Sequence, residues 1–144
     1  MIVVDANLLL YAYTASSEHH KVAKAWLESM LSGRETVAIP WSSIHAFLRI
    51  ATHPSLFENP LSMEEAATIV RTWLGQPQVL VIAPGPRYEE TFLALLHDGQ
   101  ARGNLVMDAH LAALTIEQAA TLHSTDRDFL RFPGLRVVNP LDGA

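Results

Sequence analysis

The sequence predicts an α/β fold, with a parallel sheet covered by helices on both faces. Three observations predict it. Short apolar runs alternate along the chain with segments whose apolar residues recur at helical spacing. The runs are apolar throughout, as in strands buried on both sides. The chain has 144 residues, 49% of them hydrophobic, which suits one compact domain over residues 1–144 with a substantial core.

The elements follow in order. MIVVD reads as a buried strand that ends in an acid, and a short apolar helix follows with Asp5 or Asn7 near its start. Ser16 and Ser17 offer an N-cap for a helix from Glu18 to Leu31, where Val22, Ala25, Trp26 and Met30 share a face. Gly33 closes it. TVAIP, residues 36–40, is a second strand. Trp41 to Thr52 is helical, with Ile44, Phe47, Leu48 and Ala51 on one side and Pro54 beyond its end. Ser62 and Glu65 form a capping box for the next helix. Val79 to Ala83 is a third strand. Pro86 to about His97 is a helix with Glu89 and Glu90 in its early turns, and Asn104 to about Gln118 is a very apolar one. Thr121–His123 and Leu135–Val138 complete the strands.

Composition narrows the function. Net charge is −5, with two lysines and eight arginines, so this is not a basic nucleic-acid coat protein. Cysteine is absent, which removes disulfides and thiolate zinc sites. No run of about 18 uncharged apolar residues suggests a membrane span. The opening residues lack a basic region before an apolar one, and a cytoplasmic location is the plain reading.

The chemistry is carried by acids. In a parallel sheet, ligands sit beyond the carboxyl ends of the strands. Asp5 ends the first strand, and Asp126 and Asp128 follow the fourth in STDRDF. In GNLVMDAHLAAL only Asn104, Asp108 and His110 break an apolar run, and Asp108 stands about one turn into the helix. A buried carboxylate needs a cation or several hydrogen bonds. Each acid alone has a structural explanation, as a helix cap or an Asx-turn. Gathered at one sheet edge they would repel, and a divalent cation relieves that. Oxygen ligands without cysteine suit Mg²⁺ or Mn²⁺, which activate water and steady the leaving oxygen of a phosphodiester.

Other chemistries lack their residues. A phosphoryl-accepting receiver domain wants a late lysine, and both lysines precede residue 25. A haloacid-dehalogenase-type phosphatase wants an aspartate where Asn7 stands. Neither a Gly-x-Ser-x-Gly elbow nor a P-loop is present. His19 and His20 are adjacent, not four apart, and read as exposed residues at a helix start.

The stretches VDANLLLYA, WSSIHAFLRIATHPSLF, GNLVMDAHLAAL and STDRDFLRFPGLRVVNPL make the chain resemble the PIN-domain nucleases, and among them the VapC-type toxins of toxin–antitoxin modules. The likeness runs from Met1 to Leu141. It implies a three-layer α/β/α sandwich with a parallel sheet of about five strands. It implies Mg²⁺- or Mn²⁺-dependent cleavage of RNA, a VapB-like antitoxin and a homodimer. By position, Asp5, Asp108 and Asp126 correspond to the metal-site acids, with Asp128 assisting. Asn7 and Thr125 match positions expected to orient those carboxylates. Arg49, Arg102 and Arg127 are candidates for RNA phosphates.

One position departs. The resemblance leads one to expect glutamate before Phe47-Leu48-Arg49, where this chain has Ala46, preceded by His45. One residue is about 100° of helix rotation, so His45 does not inherit the glutamate's direction. Metal, RNA, the dimer surface and a structural role stay open for it. A weakened or inactive PIN-fold module that binds RNA or a partner is the alternative that Ala46 raises. The antitoxin expectation also has a chemical basis: an acidic pocket attracts arginine, and an apolar groove accepts an amphipathic helix. Trp26, Trp41, Phe57 and Trp73 are large enough to line such a groove.

Overall fold

A computed structural model describes residues 1–142. The elements run β1 (Ile2–Val4), α1 (Ala6–Ala12), α2 (His20–Ser32), β2 (Val37–Ala38), α3 (Trp41–Ala51), α4 (Met63–Leu74), β3 (Val79–Leu80), α5 (Tyr88–Asp98), α6 (Leu105–Glu117), β4 (Thr121–His123), a 3₁₀ helix (Arg127–Arg131) and β5 (Val137–Val138). All strand pairs are parallel, and their order is β3-β2-β1-β4-β5. The three-layer sandwich with a five-stranded parallel sheet is therefore as expected.

The order follows from the connections. The chain first steps outward from β1 to β2 to β3, and its helices α1 to α4 pack on one face. It then returns across β1 to β4, and α5 and α6 pack on the other face. Right-handed crossovers require this change of face when the direction reverses. The reversal makes the β1–β4 boundary the topological switch point of the sheet.

Period-2 alternation divides the core. Ile2 and Val4 of β1 join Leu9, Leu27, Ile39, Phe47 and Trp73 on the first face. Val3 joins Leu95, Leu111, Leu114, Phe129 and Phe132 on the second. The central strand is thus buried on both sides, which is why its sequence shows no polar alternation.

Local details confirm some expectations and correct others. The Ser62–Glu65 capping box forms: the Glu65 N–H donates to Ser62 Oγ at 3.0 Å, and the Ser62 N–H donates to Glu65 Oε1 at 3.1 Å. Neither Ser16 nor Ser17 is the N-cap of α2. That residue is His19, whose N–H donates to Ser17 Oγ. His19 and His20 are also not free surface residues. His20 Nδ1 lies 3.0 Å from the Tyr11 carbonyl oxygen, and the His19 ring lies 4.8 Å from the Tyr11 ring, so both tie α2 to α1.

Two of the proposed groove aromatics are elsewhere. Trp73 is 0% exposed, and its indole N–H donates to Tyr13 Oη at 3.0 Å. Trp26 is partly buried against the same core. Large apolar residues at helical spacing fill the layer between sheet and helices before they line any surface. Of the four, Trp41 and Phe57 border open hollows. No helix among the described residues is long and apolar enough to cross a membrane.

Candidate active site

The site forms where β1 and β4 end side by side. Val4 pairs with His123 in register, and the Asp5 N–H donates to the His123 carbonyl at 3.1 Å. The residues after each strand therefore emerge together, although they are far apart in sequence.

Asp5 is the N-cap of α1. Its Oδ1 accepts from the Ala6 N–H at 2.8 Å, and its Oδ2 accepts from the Ser124 hydroxyl at 2.6 Å. The same hydroxyl oxygen accepts from the Asp126 N–H at 3.0 Å and from Asn7 Nδ2 at 3.4 Å. Ser124 thus uses its one donor and both acceptor positions, and it is 1% exposed. Asn7 Nδ2 also donates to Thr125 Oγ1 at 2.9 Å. Asn7 thus links Ser124 to Thr125, and the side-chain bond to a carboxylate comes from Ser124. Sequence reasoning missed Ser124. Its only signal was a small polar residue directly after an apolar strand.

Asp126 caps the 3₁₀ helix, with its Oδ1 accepting from the Asp128 N–H at 2.8 Å. That turn brings Asp128 back toward Asp126. Asp108, in the first turn of α6, faces both. One carboxylate oxygen from each of Asp108, Asp126 and Asp128 lies within 4.8 Å of the other two. Asp5 is not in that triplet, but it is close enough to act on it electrostatically.

The charges show in the titration. Burial, then Asp126, Asp5 and Asp128 in that order, push the Asp108 carboxyl up to about 6, and Arg131 opposes them. Burial raises Asp5 as well, with a further push from Asp126, while its bonds to Ser124 and Ala6 pull it down. Among the described residues no lysine or arginine forms an ion pair with any of the four acids. Asn7 Oδ1 is buried without a hydrogen-bond partner, and so is Ser42 Oγ, beside Asp5 on the cleft wall. Converging carboxylates, no counter-cation and an orphaned amide oxygen make a donor set that fits a hard divalent ion.

A cleft of about 660 Å³ opens beside the acids. Asp5 and Asp108 line it, together with Ala46, His45 and Arg49 of α3 and His110 of α6. Asp126 instead faces a second hollow of about 320 Å³, shared with Thr125 and Arg127. Asp108 therefore belongs both to the acid triplet and to the cleft wall. Ala46 contributes no carboxylate, and α3 supplies no acid to the cleft. Arg102 is exposed and borders neither space.

His110 was conspicuous in the sequence only as a polar break. Its Nδ1 lies 2.6 Å from Tyr88 Oη. Burial lowers its pKa, which favours the neutral ring. A phenol donating to Nδ1 leaves the proton of neutral imidazole on Nε2.

A doubly wound parallel sheet with carboxylates meeting at its switch point defines a class, and the chain belongs to the PIN domain family, whose match covers residues 2–135. Within that family its relatives are VapC proteins. Ribonuclease VapC37 of Mycobacterium tuberculosis is 44% identical over 140 residues, covering 97% of each chain. Ribonuclease VapC33 of the same species is 38% identical over 141 residues, covering 98% of this chain and 99% of the relative. Among solved structures, a toxin–antitoxin complex from Klebsiella pneumoniae aligns with a TM-score of 0.64 over 97% of this chain and 98% of that one, at 20% identity. That likeness concerns the fold.

Proposed function

We propose that the protein is a metal-dependent endoribonuclease that hydrolyses RNA phosphodiester bonds and is restrained by a VapB-like antitoxin. The observation that carries this reading is the triplet of Asp108, Asp126 and Asp128 oxygens within 4.8 Å, with no lysine or arginine ion-paired to it among the described residues. The ribonuclease names of the VapC relatives support the activity. The toxin–antitoxin complex of the same fold supports the partner.

In this reading Asp5, Asp108 and Asp126 are the catalytic and metal-site acids, and Asp128 completes the set. Mg²⁺ or Mn²⁺ held there would supply a water of lowered pKa and charge stabilisation for the leaving oxygen. The protein's own residues do the rest. Ser124 holds Asp5 and the Asp126 backbone in one frame. Asn7 and Thr125 brace that frame. Asp108 would be one of the residues holding the ion, and below about pH 6 it would first have to lose a proton. Arg49, Arg102 and Arg127 meet phosphates, and His45 borders the substrate cleft. The RNA is a loop or single strand, whose bases are free to be read. The protein acts in the cytoplasm as a homodimer.

The test is to add Mg²⁺ or Mn²⁺ to the purified protein with mixed RNA. Cleavage by the parent, lost in Asp5→Asn and in Asp108→Asn while both stay folded, supports the enzyme. RNA that is bound but never cut under either metal supports the non-cleaving module instead. That reading draws on Ala46 alone.

A further inference from the structure

The cleft wall formed by α3 carries Trp41, His45 and Arg49, spaced four residues apart. All three are exposed, and all three line the cleft that Asp5 and Asp108 share. Each four-residue step advances about 6 Å along a helix. The Trp41 and His45 rings are paired, with centroids 6.0 Å apart and planes inclined at 37°. Trp41 is 50% exposed, while Phe47 and Trp73 on the core side are fully buried, so the indole of Trp41 is not needed for the core. Met107, next to Asp108, is also exposed and faces the same space from α6. No ion pair holds Arg49 among the described residues. The cleft is thus a surface of two neighbouring, tilted rings, a thioether and a guanidinium without an ion pair among the described residues, continuous with the acid site in a protein of net charge −5.

We propose that Trp41, His45 and Arg49 form a nucleotide track that holds the RNA beside the bond to be cut. An unpaired base stacks on the Trp41–His45 pair, and Arg49 receives a neighbouring phosphate. The track rests on the ribonuclease reading and adds to it the place where a flanking nucleotide binds. Every base has a π-face, so stacking tolerates sequence, but it needs a base free of its helix. A duplex offers no such face. The aromatic pair therefore selects single strands, and the guanidinium sets the phosphate register. Ala46, between the two, keeps this wall free of negative charge that would repel the strand.

The experiment measures binding of a fluorescent single-stranded oligoribonucleotide, and of the same strand in a duplex, by anisotropy. It uses the Asp108→Asn protein so that no cleavage intervenes. Adding Trp41→Ala weakens single-strand binding by about 5- to 150-fold. Trp41→Phe, which keeps a ring, restores a substantial part of it. Duplex binding is the same in all three proteins. Adding Arg49→Ala lowers the slope of log affinity against log salt by about 0.7. Unchanged single-strand binding in Trp41→Ala overturns the track. So does Trp41→Phe binding as weakly as Trp41→Ala, or an equal loss for single strand and duplex. A change from dimer to monomer on Trp41→Ala, seen in sedimentation, also overturns it, because Trp41 is then a subunit contact. A parent enzyme that cleaves RNA but is indifferent to Trp41 refutes the track alone. A parent that neither binds nor cleaves RNA refutes the reading beneath it.

Discussion

The Ser124 hydroxyl donates to the Asp5 carboxylate at 2.6 Å across 119 positions of the chain, and the same oxygen accepts the Asp126 N–H. One buried hydroxyl therefore sets the spacing of two acids from different strands. Replacing it with Ser124→Ala leaves a buried carboxylate oxygen and a backbone N–H without partners. We expect a stability loss of about 1–3 kcal/mol in urea titrations. We also expect metal affinity about 10- to 100-fold weaker by calorimetry, as when the outer partners of a ligand are removed. A variant that kept parental metal affinity would show that Ser124 only supports the fold.

Asp108 costs the metal-free protein stability. Its folded pKa, about 6, lies above its ordinary value of 3.8. Below pH 3.8 both states are protonated and the cost is absent. Between those values the unfolded chain loses its proton first, so stability falls as pH rises and stays low above about 6. Asp108→Asn removes the titration. In the presence of a chelator it should raise stability by about 1 kcal/mol at pH 7, after allowance for partial exposure, with the gain vanishing near pH 4. Melting curves at the two pH values check this. An Asn variant less stable than the parent at pH 7 contradicts it.

The same titration couples metal binding to pH. Below about pH 6 Asp108 carries a proton that a cation must displace. Mn²⁺ affinity should therefore fall as pH falls through 6. Calorimetry in buffers of different ionisation enthalpy should find about one proton released at pH 5.5 and almost none at pH 8. At 100 times the dissociation constant the ion should stabilise the fold by about 2.7 kcal/mol, and Asp126→Asn should reduce that gain.

The aromatic residues divide by burial rather than by type. Trp73→Ala empties a fully buried site and removes the bond to Tyr13, so it should cost about 3–5 kcal/mol in denaturant unfolding. Trp41→Ala, at an exposed position, should stay within about 0.5 kcal/mol of the parent. Equal losses at the two positions would show that Trp41 also packs into the core.

Much of this architecture is legible in residue order because it depends on neighbours in the chain. The apolar run Ile2–Val4 declares a strand buried on both faces, and the Ser62–Glu65 pair declares a helix start. Asp5 at a strand end and Asp108 inside an apolar helix mark themselves as acids in unusual places. Periodicity, caps and turns act over a few residues, so the sequence by itself determined the elements and pointed to the acids. It did not determine that β4 lies beside β1, that Ser124 joins Asp5 to Asp126, or that Asp128 rather than Asp5 completes the close triplet with Asp108. Nor did it separate buried Trp73 from exposed Trp41. Those outcomes belong to the tertiary structure, because strand order and side-chain convergence are set by packing between segments far apart in the chain, where no local pattern records the distance.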